Sequence, residues 1–161
     1  MKKVFLFGGL FLLMLAACSK KDDNNTPPYD KAAQYTIDST KIMAYAAANN
    51  ITDLKHDSAG IFYQIVNRGD TRDTANAAAY VNVAYIGTFL DKKVFDSSYN
   101  ANFGLNRVIE GWTIGIPKIG RGGEINLLLP SYFAYRQYGQ GSVPPNTVLI
   151  FNVKLKSFTN R

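Results

Sequence analysis

A single cysteine, Cys18, and a single histidine, His56, are all that this chain has of the two residue types on which most redox and metal chemistry depends. With one thiol no intrachain disulfide can form, so burial and hydrogen bonding must hold the fold. A lone histidine, lying in a polar stretch upstream of the strand-rich region, leaves a Ser-His-Asp hydrolase or a histidine-built metal site without its parts. The apolar run from Val4 to Leu15 is too short to span a membrane, which takes about 20 such residues. Gly120, Gly122 and Gly123 look loop-like, but Ile125 stands where the last glycine of Gly-x-Gly-x-x-Gly would fall, which removes the nucleotide-binding fingerprint. The formal charge is +6, yet no Lys/Arg block follows the N-terminal region, so a nucleic-acid-binding face has no support.

What is present begins with Lys2-Lys3, the apolar run and then Ala16-Ala17-Cys18, the basic, hydrophobic and small-residue layout of a secretory signal. Leu15-Ala16-Ala17-Cys18 resembles a bacterial lipobox, which implies that Cys18 is acylated and becomes the first mature residue. A cleaved signal with an incidental cysteine is the alternative. The chain then divides into a signal peptide (1–17), a lipidated cysteine with a flexible tether (18–30), a helical extension (31–58) and the main domain (59–161). Loss of the signal leaves 144 of 161 residues, enough for one domain with its own core, and leaves 16 basic against 12 acidic residues, a formal charge of +4. Ser19 to Asp30 is polar, holds two prolines and has no apolar period, as a tether should. Within it, Lys20-Lys21-Asp22-Asp23 resembles the acidic export tag of surface lipoproteins in the Bacteroidetes, although a solvated linker accounts for the same residues. The expected location is a bacterial cell envelope, by a lipid anchor in the outer membrane, with periplasmic and surface-exposed placements both open.

Lys31 to Asn50 is rich in alanine and carries Ile37, Lys41, Ala44 and Ala48 at helical spacing, with Asp30 placed to cap its start. The cluster from Thr36 to Thr40 is poor helix material and predicts a possible break. Packing on the outside of the same domain is the expected role, since the segment is short for a dimerisation arm. From Gly60 the period changes to two. Ile61, Tyr63 and Ile65 form one alternating set, as do Val81, Val83, Tyr85 and Phe89, and Leu149, Phe151, Val153 and Leu155; Ile125, Leu127 and Leu129 supply another strand. The last of the three sets alternates with Ile150, Asn152, Lys154 and Lys156, which predicts one buried and one wet face. Arg107 to Ile116 reads as a short helix with Val108, Ile109, Trp112 and Ile116 on one side, and Pro117 ends it. The pattern is that of an α+β fold, a twisted antiparallel sheet wrapped around one short helix.

In order along the chain stand Tyr85-Ile86-Gly87, Phe95-Asp96-Ser97-Ser98, Val108-Ile109-Glu110-Gly111-Trp112, Leu129-Pro130, Ala134-Tyr135, Val143-Pro144-Pro145-Asn146 and Phe151-Asn152-Val153-Lys154-Leu155. In residue type and spacing this series, covering about half the chain, resembles the FKBP-type peptidyl-prolyl isomerases. The resemblance implies an FKBP-like fold and catalysis of rotation about X-Pro bonds, with proline-containing polypeptides as clients, no cofactor and no metal. It assigns Trp112 as the floor under the proline ring and Tyr85, Phe95, Val108, Ile109 and Phe151 as walls. It directs Asp96 into the cleft, hydrogen-bonded to Tyr85, and gives the Ile109 N–H and the Tyr135 hydroxyl to substrate carbonyls. Val143 is expected on the rim loop, while Ala101 and Phe103 both remain candidates for a further aromatic wall position. A monomer is expected, with a dimer open.

Rotation about an X-Pro bond crosses a barrier of roughly 18–20 kcal/mol because it abolishes amide resonance. An apolar cleft that grips the ring, excludes water and hydrogen-bonds the twisted form lowers it without nucleophile or metal. Against this, aromatic residues at strand and helix positions are ordinarily core, and Ser97, Ser98 and Pro144-Pro145 read first as turn formers. The chain departs from the family pattern at Lys92, where an Asp-Gly turn is usual, and at Arg136, where glycine is common. Both lie on rim loops. The rival reading is a non-catalytic proline-peptide-binding or chaperone module on the same fold, and the joint presence of Asp96, Trp112 and Tyr135 favours the enzyme.

Overall fold

The computed structural model describes residues 29–161. The signal peptide, Cys18 and nearly all of the tether lie outside the described residues. Asp30 caps α1 (Lys31–Ala48), its side chain accepting the Ala32 and Ala33 N–H groups at 3.0 Å each. A six-stranded antiparallel sheet follows, built from β1 (Lys55–His56), β2 (Phe62–Asn67), β4 (Tyr80–Thr88), β5 (Val94–Gly104), β7 (Glu124–Leu129) and β8 (Leu149–Thr159) in the spatial order β1-β2-β7-β8-β4-β5. Between these, β3 (Asp70–Thr74) and β6 (Gly120–Arg121) form a separate pair, and α2 (Glu110–Gly115) lies against the sheet. Among the described residues no helix is long and apolar enough to cross a membrane.

The alternation expected of the strands is observed. Val81, Val83 and Tyr85 of β4, Ile125, Leu127 and Leu129 of β7, and Phe151, Val153 and Leu155 of β8 share one buried cluster with Trp112 and Ile116. Their opposite-facing neighbours are not uniformly wet, however. Phe62, Leu128 and Ile150 are buried in a second cluster beneath Ile42 and Tyr45 of α1, so the outer sheet face is dry at this end. The expectation that Ile150 faces water fails because α1 covers it.

The extension packs on its own domain as expected, but by a different face. Asp38, Ile42 and Ala46 are buried, whereas Ile37 is 49% exposed. Ile37, Lys41, Ala44 and Ala48, the expected stripe, are all exposed, and the stripe that is buried instead includes an aspartate. Nor does the helix break at Thr36–Thr40: the Thr36 and Thr40 hydroxyls donate to the carbonyls of Ala32 (3.0 Å) and Thr36 (2.9 Å), which removes their competition with the helical ladder.

The second helix is shorter than the spacing predicts. Leu105–Arg107 is a 3-10 turn, Val108 and Ile109 are extended, and α2 starts only at Glu110. Two consecutive β-branched residues favour the extended backbone. As a result the Ile109 carbonyl accepts from Trp112 at 3.0 Å, while its N–H has no acceptor among the described residues. The turn from Phe89 to Lys93 closes without glycine, with Lys92 in the left-handed region at φ 68°.

Candidate active site

The geometry of the site starts from the pairing of β4 with β5, which sets Gly87 opposite Asp96 and Tyr85 opposite Ser98. The Tyr85 hydroxyl donates to Asp96 Oδ2 at 2.7 Å. This phenol is almost wholly buried, and burial first, then the bond to Asp96, holds its pKa far above the ordinary 10.0. Tyr135 is also raised, by burial and then by the Asp96 charge, so both hydroxyls remain proton donors throughout the neutral range. No group among the described residues hydrogen-bonds the Tyr135 hydroxyl, Asp96 being bonded to Tyr85 instead, which leaves it available.

Trp112, 4% exposed, is the centre of an aromatic box. Tyr85, Phe151 and Phe103 meet it edge-on, with ring centroids at 5.1, 5.3 and 5.7 Å and interplanar angles of 81°, 84° and 82°. Each such contact contributes about 0.5–1.5 kcal/mol beyond the area it buries, which fixes the indole despite an Nε1–H with no acceptor among the described residues. The depth of the indole is set by glycine. Gly111 and Gly115 lie on the α2 face that touches β7, where an added Cβ would stand 2.5 Å from Leu129 Cδ1 and 2.4 Å from Leu127 Cδ2.

These side chains line a cleft of about 450 Å³. It brings together Tyr85, Asp96, Phe103, Val108, Ile109, Trp112, Tyr135 and Phe151. Phe103, rather than Ala101, forms the additional aromatic wall. Two expected site residues stand elsewhere. Phe95 packs against Phe151, centroid to centroid 5.5 Å, outside the cleft lining, and Val143, on the rim loop as expected and paired with Gln140, is buried in the core and does not line the cleft. Sequence reasoning missed Arg107, which lines the cleft and forms no ion pair among the described residues; its place directly before Val108 was the available signal. Arg136, φ 54°, pairs with Glu110 at 3.4 Å and lies over the Tyr132 ring, so this departure from glycine ties the rim loop to α2. A hollow of about 370 Å³ on the outer sheet face, near Ile86 and Val94, has neither the indole floor nor the Asp96 carboxylate.

No group of three or more metal-ligating side chains occurs among the described residues. His56 is on β1, at the opposite edge of the sheet from β5, bonded to the Tyr35 hydroxyl at 2.8 Å. The reacting surface is thus an apolar box with one carboxylate, one free phenol and one free backbone N–H. It can seat a prolyl ring and hydrogen-bond a flanking carbonyl.

Residues 71–156 match the family described as FKBP-type peptidyl-prolyl cis-trans isomerase. FKBP-type peptidyl-prolyl cis-trans isomerase FkpA of Escherichia coli is 40% identical over 106 residues, 63% of this chain and 39% of that protein. FK506-binding protein 1 of Saccharomyces cerevisiae is 35% identical over 97 residues, which cover 56% of this chain and 85% of that one. Among solved structures, a peptidyl-prolyl cis-trans isomerase of Pseudomonas syringae pv. tomato superposes with TM-score 0.69 at 28% identity, covering 82% of this chain and 98% of the other. The chain spans only about two fifths of the length of the FkpA proteins it matches.

Proposed function

Because the chain belongs to the FKBP-type peptidyl-prolyl cis-trans isomerase family, we propose that it catalyses rotation about X-Pro bonds of exported polypeptides, assisting their folding, with the aromatic cleft as its active site. The observation that carries this reading is the Tyr85–Asp96 hydrogen bond beside a cleft floored by Trp112. The prolyl ring rests on the indole between Tyr85, Phe103 and Phe151. The carbonyl of the X-Pro amide, which belongs to the residue before the proline and is charge-separated by resonance in the planar ground state, loses water on entry and meets a carboxylate. Both changes disfavour the planar amide. As the bond twists, the nitrogen recovers its lone pair and the carbonyl oxygen sheds negative charge, so the Asp96 repulsion falls toward the transition state. The Ile109 N–H and the Tyr135 hydroxyl hold the flanking carbonyls, fixing one side of the bond while the other turns. No covalent bond is made or broken, so the reaction needs neither nucleophile nor metal.

The test is the cis-to-trans relaxation of a short X-Pro peptide, uncatalysed over tens to hundreds of seconds. The Cys18→Ser protein should accelerate it, and Trp112→Leu should lower kcat/KM by about tenfold, the loss expected from removing roughly 1.4 kcal/mol of apolar contact in the transition state. No acceleration by well-folded protein would leave a non-catalytic peptide-binding module.

The isomerase domain is residues 59–161, with 31–58 as a packed extension. Its place is the bacterial cell envelope, tethered through acylated Cys18 after removal of residues 1–17, a reading supported by the signal layout and the Leu15–Cys18 sequence. Cys18→Ser should shift the protein from the membrane to the soluble fraction. Unchanged membrane retention would remove the anchor.

A further inference from the structure

Asp38 is wholly buried, carries no cationic partner among the described residues and belongs to no part of the cleft. A desolvated carboxylate is costly unless hydrogen bonds repay the lost water. Its Oδ2 accepts both the backbone N–H of Ser131 at 2.8 Å and the Ser131 hydroxyl at 2.6 Å, and its Oδ1 accepts from Gln34 at 2.8 Å. Ser131, also wholly buried, is the start of the turn that carries Tyr135: its carbonyl accepts the N–H of Ala134 at 3.0 Å and of Arg136 at 2.8 Å, closing the backbone on either side of the tyrosine. The Lys31 ammonium, 3.5 Å above the Tyr132 ring, adds a second link from α1 to the same turn.

The Tyr135 hydroxyl itself is held by nothing among the described residues. Its position is therefore decided from the backbone end, and the backbone is pinned at Ser131. We propose that Asp38 is a positioning residue for Tyr135, and that α1, through it, is a working part of the substrate site rather than an appended stalk. This rests on the reading of the cleft as a prolyl isomerase site in which Tyr135 binds a substrate carbonyl. A hydroxyl that contacts substrate in ground and transition state alike acts by uniform binding, so its misplacement should appear in KM with kcat little changed.

The experiment is a double-mutant cycle of Asp38→Asn with Tyr135→Phe, assayed on an X-Pro peptide well below each variant's unfolding midpoint. Asp38→Asn keeps the size of the side chain but turns one acceptor into a donor. Ser131→Ala, which deletes only the hydroxyl, serves as the gentler second variant. Tyr135→Phe should raise KM by about five- to tenfold, the effect of losing one hydrogen bond, and Asp38→Asn by a similar factor. In the Tyr135→Phe background Asp38→Asn should then have little further effect on KM, because the group it positions is gone. Additive losses, or an Asp38→Asn protein with lowered thermal stability and unchanged KM, would overturn the positioning role while leaving the isomerase reading intact. A Tyr135→Phe protein with unchanged KM would overturn the carbonyl-binding role of Tyr135 and the positioning role with it, whereas failure of the unsubstituted protein to accelerate the peptide would overturn the isomerase reading itself.

Discussion

Gly115→Ala should destabilise the protein, although alanine is the better helix former by about 1 kcal/mol. An added Cβ would stand 2.4 Å from Leu127 Cδ2 and 3.0 Å from its Cδ1, and Leu127 is fully buried within the sheet. One turn earlier Gly111 approaches Leu129 in the same way, so α2 rests on β7 with its backbone in contact over both its turns. Overpacking of this kind costs about 1–3 kcal/mol after relaxation, which exceeds the propensity gain; Gly115→Val, with two more methyl groups, should lose more than 3 kcal/mol. In a domain of this size each kcal/mol lowers the midpoint by roughly 3–5 °C, so thermal melts resolve the series directly. Gly111→Ala should do more than destabilise, because Trp112 adjoins it and a displaced helix moves the indole away from Tyr85 and Phe151. Gly122, with nothing within 4 Å of an added Cβ but φ at +74°, is the control: alanine there meets only left-handed strain of about 1–2 kcal/mol. A melt showing Gly115→Ala to be stabilising would mean that α2 does not lie this close.

The strands were legible because a half-buried strand writes its burial at period two: β4 and β7 carry three inward residues in that register and β8 carries four. The face of α1 was not, since its buried stripe is centred on Asp38, whose reason for burial is a serine 93 residues later in the chain. The start of α2 was overrun for a local reason: Val108 and Ile109 continue the apolar spacing while their backbone is extended. Within the site, side-chain identity was readable from the ordered motifs, but which of Ala101 and Phe103 forms the wall depends on register. A register shift between Val83 and Tyr85 brings Ala101 opposite Val83 and Phe103 opposite Val81, and no period in the sequence marks it. Arg107, despite its place directly before Val108, was passed over for a different reason. It lies in a 3-10 turn that the helical reading absorbed.

Asp96 is where substitution should affect turnover most, and three replacements separate its two possible jobs. Asp96→Leu removes both the charge and the acceptor for the Tyr85 hydroxyl, leaving a nearly buried phenol unpaired. That costs about 1–3 kcal/mol locally and should lower kcat/KM by roughly 10- to 100-fold while the sheet stays folded, since Asp96 is not one of the residues that fill the core. Asp96→Asn keeps an acceptor for Tyr85 but removes the charge. Tyr85→Phe keeps the charge and removes the donor. If the carboxylate acts on the substrate by repelling the planar carbonyl, Asp96→Asn should lose nearly as much as Asp96→Leu, and Tyr85→Phe should lose little. If Asp96 serves only to hold Tyr85 against Trp112, the order reverses: Asp96→Asn stays close to full activity and Tyr85→Phe falls. The first order is expected, because a carboxylate facing a carbonyl in a water-poor cleft destabilises the charge-separated planar amide more than the twisted one. Stopped kinetics on a single X-Pro peptide, with far-UV circular dichroism to verify folding of each variant, decides between them; full activity in a folded Asp96→Leu protein would remove Asp96 from the mechanism altogether.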